Sequence, residues 1–222
     1  MKKKAAIFDL DGTLVDSIKD IAISMNQVLN DLGYTEHPLD NYQQFVGDGA
    51  LMLVQNALPL NVSEETINEA LVLFKKEYGD GRHLHSKVYD GIYDMLDTVT
   101  KNNLIITVLS NKPHKFTLEF IEYFFKKYPF VEVHGQKKEV PKKPHPMGAL
   151  SIAKALKLNP QEIIFVGDTP TDIKTAKSAG MRSVGVSWGY RSVEELLASD
   201  ADCIAKNPSD LTEILLKSIH ER

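Results

Sequence analysis

Ala5-Ala6-Ile7-Phe8-Asp9-Leu10-Asp11-Gly12-Thr13 is the stretch that decides how this chain reads. A short apolar run ends on two carboxylates two residues apart. The run predicts a strand buried on both faces of its sheet. Side chains alternate along extended backbone, so Asp9 and Asp11 would point the same way at the strand's end. Gly12 permits a sharp turn just beyond them. Ligands of open α/β sheets bind at the carboxyl ends of strands. Taken alone, Asp-x-Asp-Gly is more often a solvated acidic turn, so the rest of the chain decides.

From about Asp16 to Leu32, apolar residues from Ile18 to Leu32 recur at helical spacing, and Gly33 stops the helix. Pro38 and Asp40 open a second helix, broken at Gly47-Asp48-Gly49; Ala50 to Leu58 is a third. Ser63, followed by Glu64 and Glu65, caps a fourth. No convincing strand lies between Asp16 and Gly81, so this part reads as an all-helical insert. After Tyr89-Asp90-Gly91 strands and helices alternate. The strands are Leu104 to Leu109, Phe130 to His134, Ile163 to Gly167, Ser183 to Ser187 and an edge strand at Cys203 to Ala205. The intervening helices are about Ile92 to Lys101, Pro113 to Lys127, one into which a loop turns between Pro144 and Leu156, Thr169 to Ala179, one opened by the capping box Ser192 to Glu195, and a last one after Asn207-Pro208. The expected fold is α/β: a doubly wound, mostly parallel sheet with an inserted helical unit. The core is residues 1–15 and 86–222 and the insert residues 16–85, with hinges near Val15-Asp16 and Arg82 to Tyr89.

The chain has 222 residues, 43% of them hydrophobic and 25% charged, as in ordinary globular proteins. A net charge of −4 gives no reason to expect nucleic acid or an anionic membrane as partner. Cys203 is the only cysteine, which fits a reducing cytoplasm. The basic start, Met1-Lys2-Lys3-Lys4, precedes an apolar run too short for a signal core, and no stretch approaches a membrane span. A monomer or homodimer is expected.

Polar signals fall at or just beyond strand ends: Asp9 and Asp11, Ser110 and Asn111, Lys143, and Asp168 with Asp172. A parallel sheet brings those ends to one edge. Two carboxylates about 4 Å apart repel by roughly 4 kcal/mol at an effective dielectric near 20. Three or four need a cation or raised pKa values. Oxygen-only ligands select a hard ion, and Mg²⁺ suits a site shared with phosphate. Lys143 adds positive charge, with Lys142 as its rival in register; Lys137, Lys138 and Lys142 otherwise read as a solvated face. Such a site favours a phosphoryl group. A carboxylate can attack phosphorus, a second can protonate the leaving oxygen, and Thr13, Ser110 and Asn111 can hold the equatorial oxygens. Lys112 is ambiguous. Trp188 and Tyr190 read as packing residues near the site. His83, His85, His114 and His145 have no spacing that requires a metal.

Asp9-Leu10-Asp11-Gly12-Thr13, Ser110-Asn111, Lys143-Pro144 and Gly167-Asp168-Thr169-Pro170-Thr171-Asp172 resemble the four motifs of the haloacid dehalogenase superfamily of phosphatases, in that family's order. The resemblance implies Asp9 as nucleophile and Asp11 as acid/base. It implies Mg²⁺ held by Asp9, the backbone carbonyl of Asp11, and Asp168, with Asp172 acting nearby or through water. Lys143 would bind nucleophile and phosphate, and the insert would be the family's helical cap. Within the superfamily the chain is most similar to phosphoglycolate phosphatases. Phe45-Val46-Gly47-Asp48-Gly49-Ala50 resembles their cap loop, which implies Gly47, Asp48 and Gly49 as substrate-facing. An arginine common in the helix after that loop is Asn56 here. The implied function is Mg²⁺-dependent hydrolysis of a small phosphorylated metabolite such as 2-phosphoglycolate. A phosphosugar mutase of the same superfamily and a phospho-accepting module like a response-regulator receiver are the rival readings.

Overall fold

Every residue of β1 (Ala5–Phe8) is buried, and successive side chains enter opposite faces of the sheet. Ala6 and Phe8 join one apolar cluster, Ala5 and Ile7 the other. Two-sided burial is why the run is apolar without alternation. The computed structural model describes residues 3–81 and 84–220. Arg82 and His83, where one sequence-expected hinge begins, lie outside the described residues.

The remaining strands are β2 (Val15–Asp16), β3 (Lys87–Val88), β4 (Ile105–Pro113), β5 (Phe130–Gln136), β6 (Ile163–Gly167), β7 (Arg182–Val186) and β8 (Cys203–Ala205). One parallel sheet has the order β5-β4-β1-β6-β7-β8, with β8 at its edge as the sequence indicated. Strand order reverses at β1, which opens a crevice at the carboxyl ends of the strands on either side. Phe8 pairs with Val108 and with Val166, so Asp9 comes level with Leu109 and Gly167. Ser110 and Asp168 follow at the same edge.

Between β2 and β3 lie α1 (Ile18–Asp31), α2 (Leu39–Phe45), α3 (Ala50–Ala57) and α4 (Glu64–Gly81). The chain leaves and re-enters the sheet layer through a two-rung antiparallel ladder, Val15 opposite Val88 and Asp16 opposite Lys87. Buried Asp20, on α1, braces the re-entry. It accepts from His85 N at 3.0 Å, Ser86 N at 2.7 Å and Ser86 Oγ at 2.6 Å. The other helices are α5 (Ile92–Lys101), α6 (His114–Phe125), α7 (Met147–Leu156), α8 (Pro170–Ser178), α9 (Val193–Ala198) and α10 (Pro208–His220). Among the described residues no helix is long and apolar enough to cross a membrane.

Three departures from the sequence reading have local causes. Helix α1 starts at Ile18 rather than Asp16, because Val15 and Asp16 are held in the ladder. Strand β4 runs on past Leu109 to Pro113, which pairs with Gln136 after an irregularity in register. Ser110 and Asn111 therefore lie within a strand, not beyond it. A 3₁₀ turn at Pro160–Glu162, closed by a capping box between Asn159 and Glu162, leads into β6 and was not anticipated.

Candidate active site

Three acidic groups converge where β1 and β6 end. Asp9, Asp168 and Asp172 each place a carboxylate oxygen within 4.8 Å of the others, and all three are buried. Asp9 N donates to Val166 O at 2.9 Å, which extends the ladder by one rung and fixes the residue. Leu10 N donates to Asp9 Oδ1 at 2.7 Å. Asp168 is gripped from two loops: Thr13 Oγ1 donates to its Oδ1 at 3.2 Å and Tyr190 N to its Oδ2 at 2.9 Å. Asp172 sits in the first turn of α8, where Thr169 N and Thr169 Oγ1 donate to its Oδ2 at 3.0 and 2.7 Å.

Gly12 makes this crowding possible. Its φ is +82°, and a Cβ there would fall 2.2 Å from Asp168 Oδ2. The same left-handed residue turns the chain just beyond the two carboxylates. The Asp11 carboxylate accepts from Ser17 Oγ at 2.6 Å and from Lys112 Nζ at 2.9 and 3.0 Å. Asp9 and Asp11 line one cavity, of about 60 Å³.

Lys143, not Lys142, carries its ammonium into the cluster. Its Nζ lies 2.6 Å from Asp172 Oδ1 and 2.9 Å from Asp9 Oδ1. Asn111 aims this lysine: Lys143 N donates to Asn111 Oδ1 at 2.9 Å, and Asn111 Nδ2 donates to Lys143 O at 3.1 Å. Ser110 is buried at the cavity wall, and its Oγ accepts from Lys112 N at 3.2 Å.

The charge is unbalanced. Burial, with Asp172 adding to it, pushes the Asp9 carboxyl up to about 7 against the pull of Lys143. Burial and the carboxylates of Asp172 and Asp9 also hold Asp168 well above its ordinary range. For Lys143, burial works against the charged form, but Asp172 and Asp9 outweigh it and raise the group. One ammonium among three buried carboxylates leaves room for a second, harder cation. The oxygen-only donor set fits Mg²⁺.

The insert closes the other side of the cavity. Val46, Leu53, Phe74 and Tyr78 supply apolar wall, and the loop at Gly47 and Gly49 reaches the core. Asn111 Nδ2 donates to Gly47 O at 3.0 Å. Asp48 accepts at Oδ1 from Thr171 Oγ1 at 2.8 Å, and its carbonyl accepts from Lys142 Nζ at 2.6 Å. Asp48 thus faces the core loops, and Lys142 does more than line a solvated face. Asn56 is exposed and lies outside the cavity lining.

Several participants escaped the sequence reading. Buried Lys112 joins Asp11 to Tyr78 of α4, donating to Tyr78 Oη at 2.6 Å, with its ammonium 4.1 Å from the Phe120 ring centroid. Tyr190 does more than pack: its Oη accepts from Ser17 N at 3.1 Å. Trp188 Nε1 donates to Thr13 O at 3.0 Å. No motif spacing marks Ser17 or Arg191. Lys112 had a signal in its place directly after Ser110-Asn111, and Trp188 and Tyr190 were read only as packing near the site.

The sequence pattern described as haloacid dehalogenase-like hydrolase matches residues 6–186. The chain belongs to this family. Among curated relatives of this haloacid dehalogenase-like hydrolase, the phosphoglycolate phosphatase of Vibrio parahaemolyticus serotype O3:K6 is 32% identical, covering 97% of each chain. That of Psychrobacter arcticus is 31% identical over 98% of each. The crystal structure of a predicted phosphoglycolate phosphatase from Haemophilus somnus 129PT superposes with a TM-score of 0.90 at 29% identity, covering 96% of this chain and 98% of that one. These relatives place the haloacid dehalogenase-like hydrolase among the phosphatases of its family. A β-phosphoglucomutase from Clostridium difficile shares the fold, with a TM-score of 0.76 at 22% identity over 98% of this chain and 97% of that one. Fold alone therefore does not separate hydrolysis from phosphoryl shuttling.

Proposed function

We propose that the protein is a Mg²⁺-dependent phosphatase that hydrolyses a small phosphate monoester through an aspartyl phosphate on Asp9. The observation that carries this reading is the buried trio Asp9, Asp168 and Asp172 with a single ammonium, Lys143, among them. In this reading residues 1–15 and 86–222 are the catalytic unit, and residues 16–85 are a cap.

The Asp9 carboxylate attacks phosphorus, and the bond from phosphorus to the ester oxygen breaks. Asp11 gives a proton to that departing oxygen, so the alcohol leaves neutral. Asp11 then takes a proton from water, whose oxygen attacks the phosphorus and releases inorganic phosphate and the Asp9 carboxylate. Lys143, Thr13, Ser110 and Asn111 hold phosphoryl oxygens. Mg²⁺ would be held by Asp9, Asp168 and the Asp11 carbonyl with Asp172 beside it; it supplies charge that eases the approach of one anion to another. Lys112 and Ser17 hold the Asp11 carboxylate on the cavity wall beside the expected leaving group.

The curated relatives make 2-phosphoglycolate the first candidate. The protein would then act in the cytoplasm as a monomer or homodimer. A panel of phosphometabolites ranked by kcat/KM, with and without chelator, tests both parts. Turnover that survives complete removal of divalent metal would overturn the mechanism. Efficient isomerisation of a hexose phosphate with little phosphate release would favour the mutase reading.

A further inference from the structure

Arg191 lies between two residues whose backbones are fixed in the core. Tyr190 N donates to Asp168 Oδ2 at 2.9 Å, and Ser192 opens α9, its N–H donating to Glu195 Oε2 at 3.0 Å. The Arg191 side chain nevertheless leaves the core and ends on the insert. Its Nη2 donates to Gln44 O at 3.2 Å and to Val46 O at 3.0 Å, and its Nη1 donates to Gln43 O. These carbonyls belong to the end of α2. The last carbonyls of a helix have no intrahelical partner and carry the negative end of its dipole. Here the chain turns extended at Val46, so α2 does not continue. A guanidinium fork from another part of the molecule therefore caps it.

The capped end leads directly into the loop that covers the candidate nucleophile. Gly47 O accepts from Asn111, Asp48 meets Thr171 and Lys142, and a Cβ at Gly49 would lie 3.2 Å from Asn111 O. Val46, Gly47 and Gly49 line the cavity that holds Asp9. We propose that Arg191 is a positioning residue: by capping α2 from the core it seats residues 46–49 over Asp9 and couples that seat to the Tyr190–Asp168 loop. Its Nε faces Glu195 Oε1 at 3.9 Å, while both terminal nitrogens serve the insert. The catalytic part of this inference rests on the phosphatase reading; the structural part does not.

The test compares wild type with Arg191→Ala and Arg191→Lys in the full-length protein with Mg²⁺. One readout is amide hydrogen exchange, the other p-nitrophenyl phosphate turnover. Arg191→Ala is expected to speed exchange at residues 46–50 at least tenfold, leave β1 and β6 amides protected as in wild type, and lower kcat/KM about a hundredfold, as a misplaced loop does. Arg191→Lys, with one ammonium for several carbonyls, is expected to recover part of both losses. Unchanged exchange at 46–50 would overturn the proposal. So would equal deprotection of β1, which would make Arg191 a general stabiliser. If wild type releases no phosphate from any ester, the phosphatase reading fails while the exchange comparison still decides whether Arg191 seats the loop.

Discussion

Lys143 Nζ and Asp172 Oδ1 are 2.6 Å apart, while the other oxygen of the same carboxylate is taken by Thr169 at the start of α8. One side chain thus caps a helix and anchors the ammonium that faces Asp9. Removing the lysine strands three buried carboxylates. Lys143→Ala is expected to lose about 3–5 kcal/mol of stability without metal and to lose turnover. Added Mg²⁺ should recover part of the stability but not the activity. Chemical denaturation with and without the ion checks this.

The raised Asp9 carboxyl sets a pH dependence. Between its ordinary 3.8 and about 7 the folded protein holds a proton there that the unfolded chain releases. Stability without metal therefore falls as pH rises through that window and stays low above it. A divalent cation competes with that proton, so Mg²⁺ is expected to raise Tm more at pH 8 than at pH 5. Thermal melts across that range with and without Mg²⁺ would show it; a metal effect larger at pH 5 would contradict it.

In the proposed mechanism Asp9 and Asp11 serve different steps, which their asparagine variants separate. Asp9→Asn is expected to show no turnover and no phosphoenzyme. Asp11→Asn is expected to lower kcat by about 10²–10⁴ while still allowing some phosphoryl transfer from an activated aryl ester. Mass spectrometry of acid-quenched protein distinguishes the two, since only Asp11→Asn should trap the phosphoenzyme.

Gly12→Ala asks how tightly the acidic loop is packed. A left-handed backbone costs a non-glycine residue about 1–3 kcal/mol, and here the new methyl would also strike the Asp168 carboxylate at 2.2 Å. The variant is expected to bind Mg²⁺ weakly and to lose activity, while the sheet persists. Calorimetric titration of the metal and far-UV circular dichroism separate those outcomes.

Much of this was legible because burial dictates composition. β1 and β6 are covered on both faces, so Ala5 to Phe8 and Ile163 to Gly167 are apolar throughout and could be placed nearly to the residue. The polar residues that interrupt such runs at their carboxyl ends then stand out, as Asp9 and Asp168 do. The ladder of β2 and β3 was not legible as strand, since two rungs carry no periodicity, although both of its ends were expected as hinges. The partners of the Asp11 side chain were not legible either: they include Lys112, a hundred positions away in sequence. Arg191, Tyr190 and Lys142 act through contacts across the boundary between insert and core, and a one-dimensional pattern does not encode such contacts.

The two rungs of β2 and β3 set Asp16 beside Lys87, so residues 17–86 depart from the core and return to it at a single point. Topologically the whole insert is an ornament on one turn. A tight hairpin spliced across that neck would leave all six strands of the large sheet with their neighbours. The order of the large sheet therefore does not depend on the insert, whereas the setting of Asp11 does, through Ser17 and through Tyr78 on Lys112.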